Sequence, residues 1–291
     1  MTWEDELSEP ARAVLRGSAA DRSAFVSKQS FIPTHDCIAA LQWLSYLRRQ
    51  YYGVDRPKNV HIVALPGMGK SRVLKQYIEQ FSPVRDENGL LRREVVLIEM
   101  PEDGELRHLQ KAIVTACLPG LEPNDRYSSR DVLEVLKACC VRQLLFDEMG
   151  NILNGSRLSQ QCALAFIKSI TNQGITVGVA TTPRLKLALH ADEQLASRFH
   201  VVEVRVWRES DELRSFLDAV ERQLPFSEPS FLASPGMVRT LLAREELTSS
   251  LILEVLRDAC RAAFISGEPN ITAQGLRSVM ESPFPPDGGI G

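Results

Sequence analysis

Apolar residues in this chain follow two rhythms, and the change between them divides it. From residue 59 to 207, short unbroken apolar runs alternate with segments of helical spacing. The runs NVHIVAL (59–65), REVVLIEM (93–100), RQLLFDE (142–148), GITVGVATT (174–182) and HVVEVRVW (200–207) predict five strands. Strands without polar alternation are buried on both faces, and helices between them indicate a parallel sheet. Helices are expected from Lys70 through Phe81, over 104–118 and 129–140, and at about 157–172 and 183–196. An amphipathic helix, DCIAALQWLSYLRRQYY, precedes the first strand and ends at Gly53, with Thr34 or Asp36 as its cap. After Trp207 the strand-like runs stop, and 209–224, 234–247, 249–266 and 271–280 all carry helical spacing. The expected organisation is a polar, weakly helical N-terminal extension (1–30), an α/β core (31–207), a small all-helical domain (208–281) and a tail (282–291). The tail, rich in Pro and Gly, is expected to be disordered.

A chain of 291 residues is long enough to bury a sizeable core. Its 34 Lys+Arg against 37 Asp+Glu give a formal charge of -3, which excludes a protein coated in nucleic acid through bulk charge. A local basic patch stays open, since 26 of the 34 basic residues are Arg, the side chain suited to bidentate phosphate contacts. No apolar run approaches the ~18 residues of a membrane span. The opening MTWEDELSEP is acidic where a secretory signal is basic, so a cytoplasmic location is expected. Cys37, Cys117, Cys139, Cys140, Cys162 and Cys260 form no CxxC pair and read as reduced, mostly buried thiols. The five histidines lack ligand spacing, so no zinc site is expected.

Composition says little about chemistry; the ends of the strands say more. ALPGMGKS (64–71) matches the phosphate-loop pattern GxxxxGK[ST] except at Ala64, where the pattern has Gly. Pro66, Gly67, Met68 and Gly69 form the loop, its glycines letting backbone N–H groups turn inward around a phosphate. Lys70 would reach the β- and γ-phosphates of ATP, and Ser71 would ligate Mg²⁺. The strand QLLFDE ends in Asp147, a second Mg²⁺ ligand, and Glu148, a candidate general base for water. The GVATTP strand should lie between these two, turning Thr181 or Thr182 toward the γ-phosphate, although capping the helix at Pro183 explains a Thr equally well. Arg198, just before the last strand, would point away from its own nucleotide and complete a neighbour's site, with Arg184 the next candidate for that role. Arg239, in SPGMVR, would report nucleotide state to the helical domain. The weaker candidates for DNA contact are Arg107, Lys111, Arg126 and Arg130, with Arg92 and Arg93 a separate pair. One or two phosphate contacts per subunit become substantial when repeated around a multimer. No helix-turn-helix or zinc pattern indicates base reading.

Together, ALPGMGKS, LLFDE, GVATT, ADEQLASRF and SPGMVR resemble an AAA+ ATPase. The runs DEMGNILNGS, FIKSITNQGI, GVATT and DEQLASRF are similar more particularly to the TniB/TnsC family, regulators of Tn7-like transposons, CRISPR-associated ones included. FIPTHDCIAALQWL resembles that family's entry segment, which lies near the adenine and brings Ile32 into the candidate site. The resemblance spans about 30–280 and implies a sheet of order 5-1-4-3-2 with a helical lid. It also implies ATP-driven assembly into rings or helical filaments, six or seven subunits per turn, on double-stranded DNA without sequence preference. That platform would connect a TniQ-type target-selection protein to a DDE transposase of the TnsB/TniA type. Lys70 and Ser71 would bind nucleotide, Asp147 the metal, and Glu148 would be the base; Thr181, Arg198 and Arg239 would be first sensor, trans-acting finger and second sensor. Besides Ala64, Met149–Gly150 departs from the family, many members having a bulky polar residue after the acidic pair. The competing reading is another initiator- or loader-class AAA+ ATPase, a helicase loader or origin-binding ATPase. A defence-type signalling NTPase ranks third, because such proteins carry longer sensor or effector domains.

Overall fold

The computed structural model describes residues 2–28, 31–122, 126–190, 197–244 and 246–281. Three short helices come first: α1 (Trp3–Glu6), α2 (Glu9–Val14) and α3 (Ala19–Ser27). Ser18 caps α3 through a reciprocal pair of bonds with Asp21. Next come α4 (His35–Tyr51), strand β1 (Asn59–Ala64) and α5 (Lys70–Ile78). A two-residue-per-strand hairpin (Val84–Arg85 with Leu91–Arg92) leads into β2 (Val95–Glu99), α6 (Leu106–Cys117) and α7 (Ser129–Ala138). Strand β3 (Gln143–Asp147) is followed by a stretch of 3₁₀ helix (Met149–Asn154), α8 (Arg157–Thr171), β4 (Thr176–Thr181), α9 (Pro183–His190) and β5 (Phe199–Val204). The expected helix over 183–196 runs to His190, and its remainder lies outside the described residues. Four further helices close the chain: α10 (Asp211–Glu221), α11 (Pro235–Leu242), α12 (Ser249–Ser266) and α13 (Ala273–Glu281). The tail 282–291 is likewise outside the described residues.

The five strands form one parallel sheet in the order β2-β3-β4-β1-β5, which is the anticipated 5-1-4-3-2 read from the other edge. Every residue of β1, β3 and β4 is buried, as the unbroken apolar runs require. Val96, Ile98, Leu144, Phe146, Val177 and Val179 belong to one core cluster with apolar residues of α6, α7 and α8. Polar side chains inside this sheet find specific partners, although the buried Gln143 Oε1 has none among the described residues. Asn59 Oδ1 accepts from the Val177 amide at 2.8 Å, and Gln143 Nε2 donates to the Leu44 carbonyl at 3.1 Å. Trp43 stacks on His200 at 3.7 Å, and burial lowers the pKa of that imidazole.

The chain divides into two compact units, residues 35–205 and residues 1–34 with 206–291. Residues 1–30 are therefore part of the helical unit. Leu7, Ala11 and Leu15 are buried together with Trp3 and Phe25 against them. Trp3 Nε1 donates to the Phe226 carbonyl at 3.1 Å, the Ser8 amide to Arg222 at 2.8 Å, and the Arg22 guanidinium lies 4.5 Å over the Phe264 ring. Residues 31–34, expected in the core, also fall in this unit. None of the six cysteines is in a disulfide; Cys37, Cys117, Cys139 and Cys260 are buried, whereas Cys162 on α8 is exposed. No described helix is long and apolar enough to cross a membrane.

The segment after β3 is held by side-chain bonds to backbone carbonyls as well as by apolar packing. Asn151 Nδ2 donates to the Met100 carbonyl at 3.0 Å, and Asn154 Nδ2 to the Glu102 carbonyl at 2.8 Å. Gly104 sits beneath them at φ +65°, where a Cβ would lie 2.6 Å from the Asn151 oxygen and 2.9 Å from the Gly155 nitrogen. Both its left-handed backbone and its crowded surroundings require glycine. Gly104→Ala is expected to destabilise the protein by about 1–3 kcal/mol, read as a lower urea midpoint. Gly150→Ala, in open space two residues past Glu148, is the control and should stay within about 0.5 kcal/mol of the parent.

Candidate functional site

Because the strands are parallel, β1, β3 and β4 all end at one edge of the sheet. At the end of β1 the chain turns through Leu65–Gly69, with the Met68 amide donating to the Leu65 carbonyl at 3.3 Å and the Met68 side chain buried. Gly67 (φ +79°) and Gly69 (φ +86°) adopt the left-handed backbone that a side chain resists. Gly69 is also the residue before α5, so the loop runs directly into a helix N-terminus with its unpaired N–H groups. Lys70, in the first turn of that helix, has a side chain only 8% exposed. Pro66 is exposed at the tip of the turn.

The carboxylates of β3 meet this loop. Ser71 Oγ donates to Asp147 Oδ1 at 3.0 Å across 76 residues of sequence, and Asp147 is itself buried. The same Oδ1 accepts from the Glu148 amide at 2.9 Å, and Glu148 takes a left-handed backbone (φ +48°, ψ +35°). That conformation is costly for a non-glycine residue, on the order of 1 kcal/mol, and it turns the carboxylate back toward the loop. Glu148 Oε1 lies 3.7 Å from Lys70 Nζ, its side chain 46% exposed. Ser71 and Asp147 thus present two adjacent hard oxygen donors, the chemistry Mg²⁺ selects. A buried lysine and a helix N-terminus beside them suit the polyanionic phosphates of a nucleotide.

Thr181, the last residue of β4, is buried, and its hydroxyl is 2.6 Å from His61 Nε2. Thr182 is half-buried one residue further on, with its carbonyl accepting from the Leu185 amide. His61 leaves a faint signal in the sequence, a lone ionisable residue within an otherwise apolar run.

Arg198 stands at the opposite edge. Its carbonyl accepts from the Asn59 amide at the start of β1, the length of that strand, ~20 Å, from its own phosphate loop. Its guanidinium donates to Thr171 Oγ1 at 3.1 Å and Asn172 Oδ1 at 3.0 Å, and among the described residues no carboxylate pairs with it. Arg184 is exposed on α9. Arg107 is exposed and Lys111 half-buried, one turn apart on α6. Arg126 is exposed ahead of α7, and Arg130 on α7 is engaged by Glu134 at 3.0 Å. Arg92 pairs with Asp86 at 3.1 Å in the hairpin. In the helical unit, Arg239 is exposed on α11 and Ile32 lines a small cleft with Phe25, Leu224 and Leu256.

Residues 22–209 match the family model described as bacterial TniB protein. Among solved structures, Orc1 of Aeropyrum pernix in complex with DNA is similar at a TM-score of 0.60 and 19% identity, over 89% of this chain and 68% of that one. Cdc6p of Pyrobaculum aerophilum is similar at 0.60 and 15% identity, over 88% and 70% of the two chains. Drosophila ORC bound to DNA gives 0.58 and 13% identity, over 91% and 66%. No curated protein matches the chain.

Lys70 is the buried cation beside the loop, so phosphate binding there would rest on it. Lys70→Ala is expected to weaken binding of a fluorescent ATP analogue roughly 10²-fold, the worth of a buried charge-assisted contact, while leaving the circular dichroism unchanged.

Proposed function

The chain belongs to the TniB family of AAA+ ATPases, and from that premise we propose that it hydrolyses ATP to control its own assembly on double-stranded DNA during transposition. The observation that carries this reading is the meeting of Ser71, Asp147, Lys70 and Glu148 at one sheet edge. Lys70 and the backbone of Gly67–Ser71 bind the phosphates, and Ser71 with Asp147 holds Mg²⁺. Held there, Mg²⁺ would supply positive charge to offset the negative charge that phosphoryl transfer develops. Glu148 orients water and takes its proton. Its contact with Lys70 couples the two roles: phosphate competing for the ammonium releases the carboxylate for water. Thr181, positioned by His61, is the first sensor, and Arg239 the second.

Arg198 acts in trans. Too far from its own loop, it can reach a γ-phosphate only in a neighbouring subunit, and neutral acceptors hold it without cancelling its charge. Each subunit thus offers a pocket at one sheet edge and a finger at the other, a head-to-tail pairing that builds rings or helical filaments. Arg107, Lys111, Arg126 and Arg130 supply sequence-nonspecific phosphate contacts, repeated once per subunit. Family membership supports a TniQ-type targeting protein and a DDE transposase as partners, with hydrolysis governing disassembly. The likeness to Orc1 and Cdc6p, one solved with DNA, favours a duplex as the assembly track and keeps an initiator-type role as the second reading. The family match over 22–209 weighs for transposition.

Glu148→Gln is expected to retain ATP and Mg²⁺ binding and to lower turnover by roughly 10²–10⁴. Its complexes on duplex DNA should outlive those of the parent in an electron-microscopy time course.

Mixing two inactive variants tests the trans arrangement. Arg198→Ala keeps its own pocket, and Lys70→Ala keeps its finger. Phosphate release with duplex DNA should be near background for each alone and recover in mixtures, with a maximum near equal proportions. Full activity of Arg198→Ala by itself would remove this residue from the reading and move the test to Arg184.

A further inference from the structure

The helical unit contains an open cavity of about 690 Å³ between α11 and α13, lined by Arg239, Arg244 and Arg277 together with Thr240, Met280 and Glu281. Among the described residues, three guanidinium groups and one carboxylate line it. Among the described residues none of the three has an ion-pair partner within 4 Å. Two are pre-set by the backbone: Arg239 Nε donates to the Pro235 carbonyl at 3.1 Å, and Arg244 Nη2 to the Met280 carbonyl at 2.9 Å. Both bonds fix a guanidinium through a neutral acceptor and leave its charge and remaining N–H groups available. Arg277, exposed on α13, makes no hydrogen bond or ion pair among the described residues. Gathering three like charges around one cavity is unfavourable without a counter-charge. The volume is that of a small-ligand site, and arginine forks match phosphate oxygens two at a time.

We propose that this cavity is a second anion site that binds a run of phosphate groups. It uses none of the phosphate-loop residues, and of the residues given a role above it shares only Arg239. The same chemistry is offered by the triphosphate of a nucleotide and by the backbone of a DNA duplex. An acidic peptide offers carboxylates on flexible stems, spaced less densely than phosphate charges, and is the weaker fit.

The test uses the full chain carrying Lys70→Ala, so that phosphate binding at the loop is disabled, with inorganic tripolyphosphate as the probe in titration calorimetry. This protein should bind tripolyphosphate, and adding either Arg244→Gln or Arg277→Gln should weaken binding about tenfold, the cost of one charge-assisted contact. Arg277→Lys should fall between, keeping the charge and losing the fork. Circular dichroism of each variant checks that the fold is retained. Two further arms on the chain with Lys70 intact separate the sources. If the duplex is the natural ligand, Arg277→Gln lowers duplex affinity and reduces the slope of log affinity against log salt by about 1, with ATP affinity unchanged. If the nucleotide is the ligand, ATP affinity falls and the duplex titration does not move. Absence of tripolyphosphate binding to Lys70→Ala, indifference to both arginine substitutions, or equal binding of an oligoglutamate peptide would each overturn the proposal. Failure of the phosphate-loop reading would appear separately, as unaltered ATP binding on loss of Lys70 alone.

Discussion

The hydrogen bond from Ser71 to Asp147 depends on a single constraint, the common direction of five strands. Strands β1 and β3 are not neighbours; β4 lies between them, paired in register with both. Only because all three run the same way do a helix start, two carboxylates and a threonine reach one edge. An antiparallel β3 would send Asp147 to the far side of the sheet, ~20 Å from Lys70. Parallel strands need helical crossovers, which cover the sheet faces and let its central strands be buried along their whole length.

The same direction separates charge. Where the strands finish lie Lys70, Asp147 and Glu148; where they begin lie Arg142, which pairs with Glu94 at 3.2 Å, and Arg198, on Thr171 and Asn172. Glu94 also receives Arg48, whose guanidinium lies 4.7 Å over Phe81. Arg198 differs from Arg48 and Arg142, because among the described residues its acceptors are uncharged. An ion pair would have cost it the freedom to be drawn onto another anion.

Strands and long helices were legible because burial on both faces leaves apolar runs that only one arrangement satisfies. The phosphate loop and its acidic partner were legible because chemistry constrains residue type there as well as spacing. The N-terminal segment reads as weakly helical, and its core is hidden for a physical reason. Trp3, Ala11 and Phe25 sit in helices of four, six and nine residues, and Leu7 and Leu15 at the C-caps of the first two; such elements are too short for a periodic pattern and become a core only when assembled. His61 and Asn59 were hidden by register: a polar residue in an apolar run shows its partner only once the neighbouring strand is aligned. The DEMGNILNGS run has an internal logic that only the fold makes visible. Asn151 and Asn154 tie the segment to the end of β2, Gly155 abuts Gly104, and Ser156 caps α8 by accepting from the Ser159 amide. That framework fixes the path of the chain immediately after Glu148, so the departure at Met149 puts a buried apolar side chain into the core.

The division of the chain bears on its birth at the ribosome. Residues 35–205 form an uninterrupted stretch, able to collapse as soon as it has emerged. The helical unit is assembled from both ends: Trp3 has no Phe226 to bond, and Ser8 no Arg222, until most of the polypeptide has been translated. During that interval the first thirty-odd residues carry their apolar side chains without a finished core, while the nucleotide-binding fold is already available behind them. Assembly therefore runs from the middle outward, and the helical unit is complete only when residues 3–22 close onto 222–264.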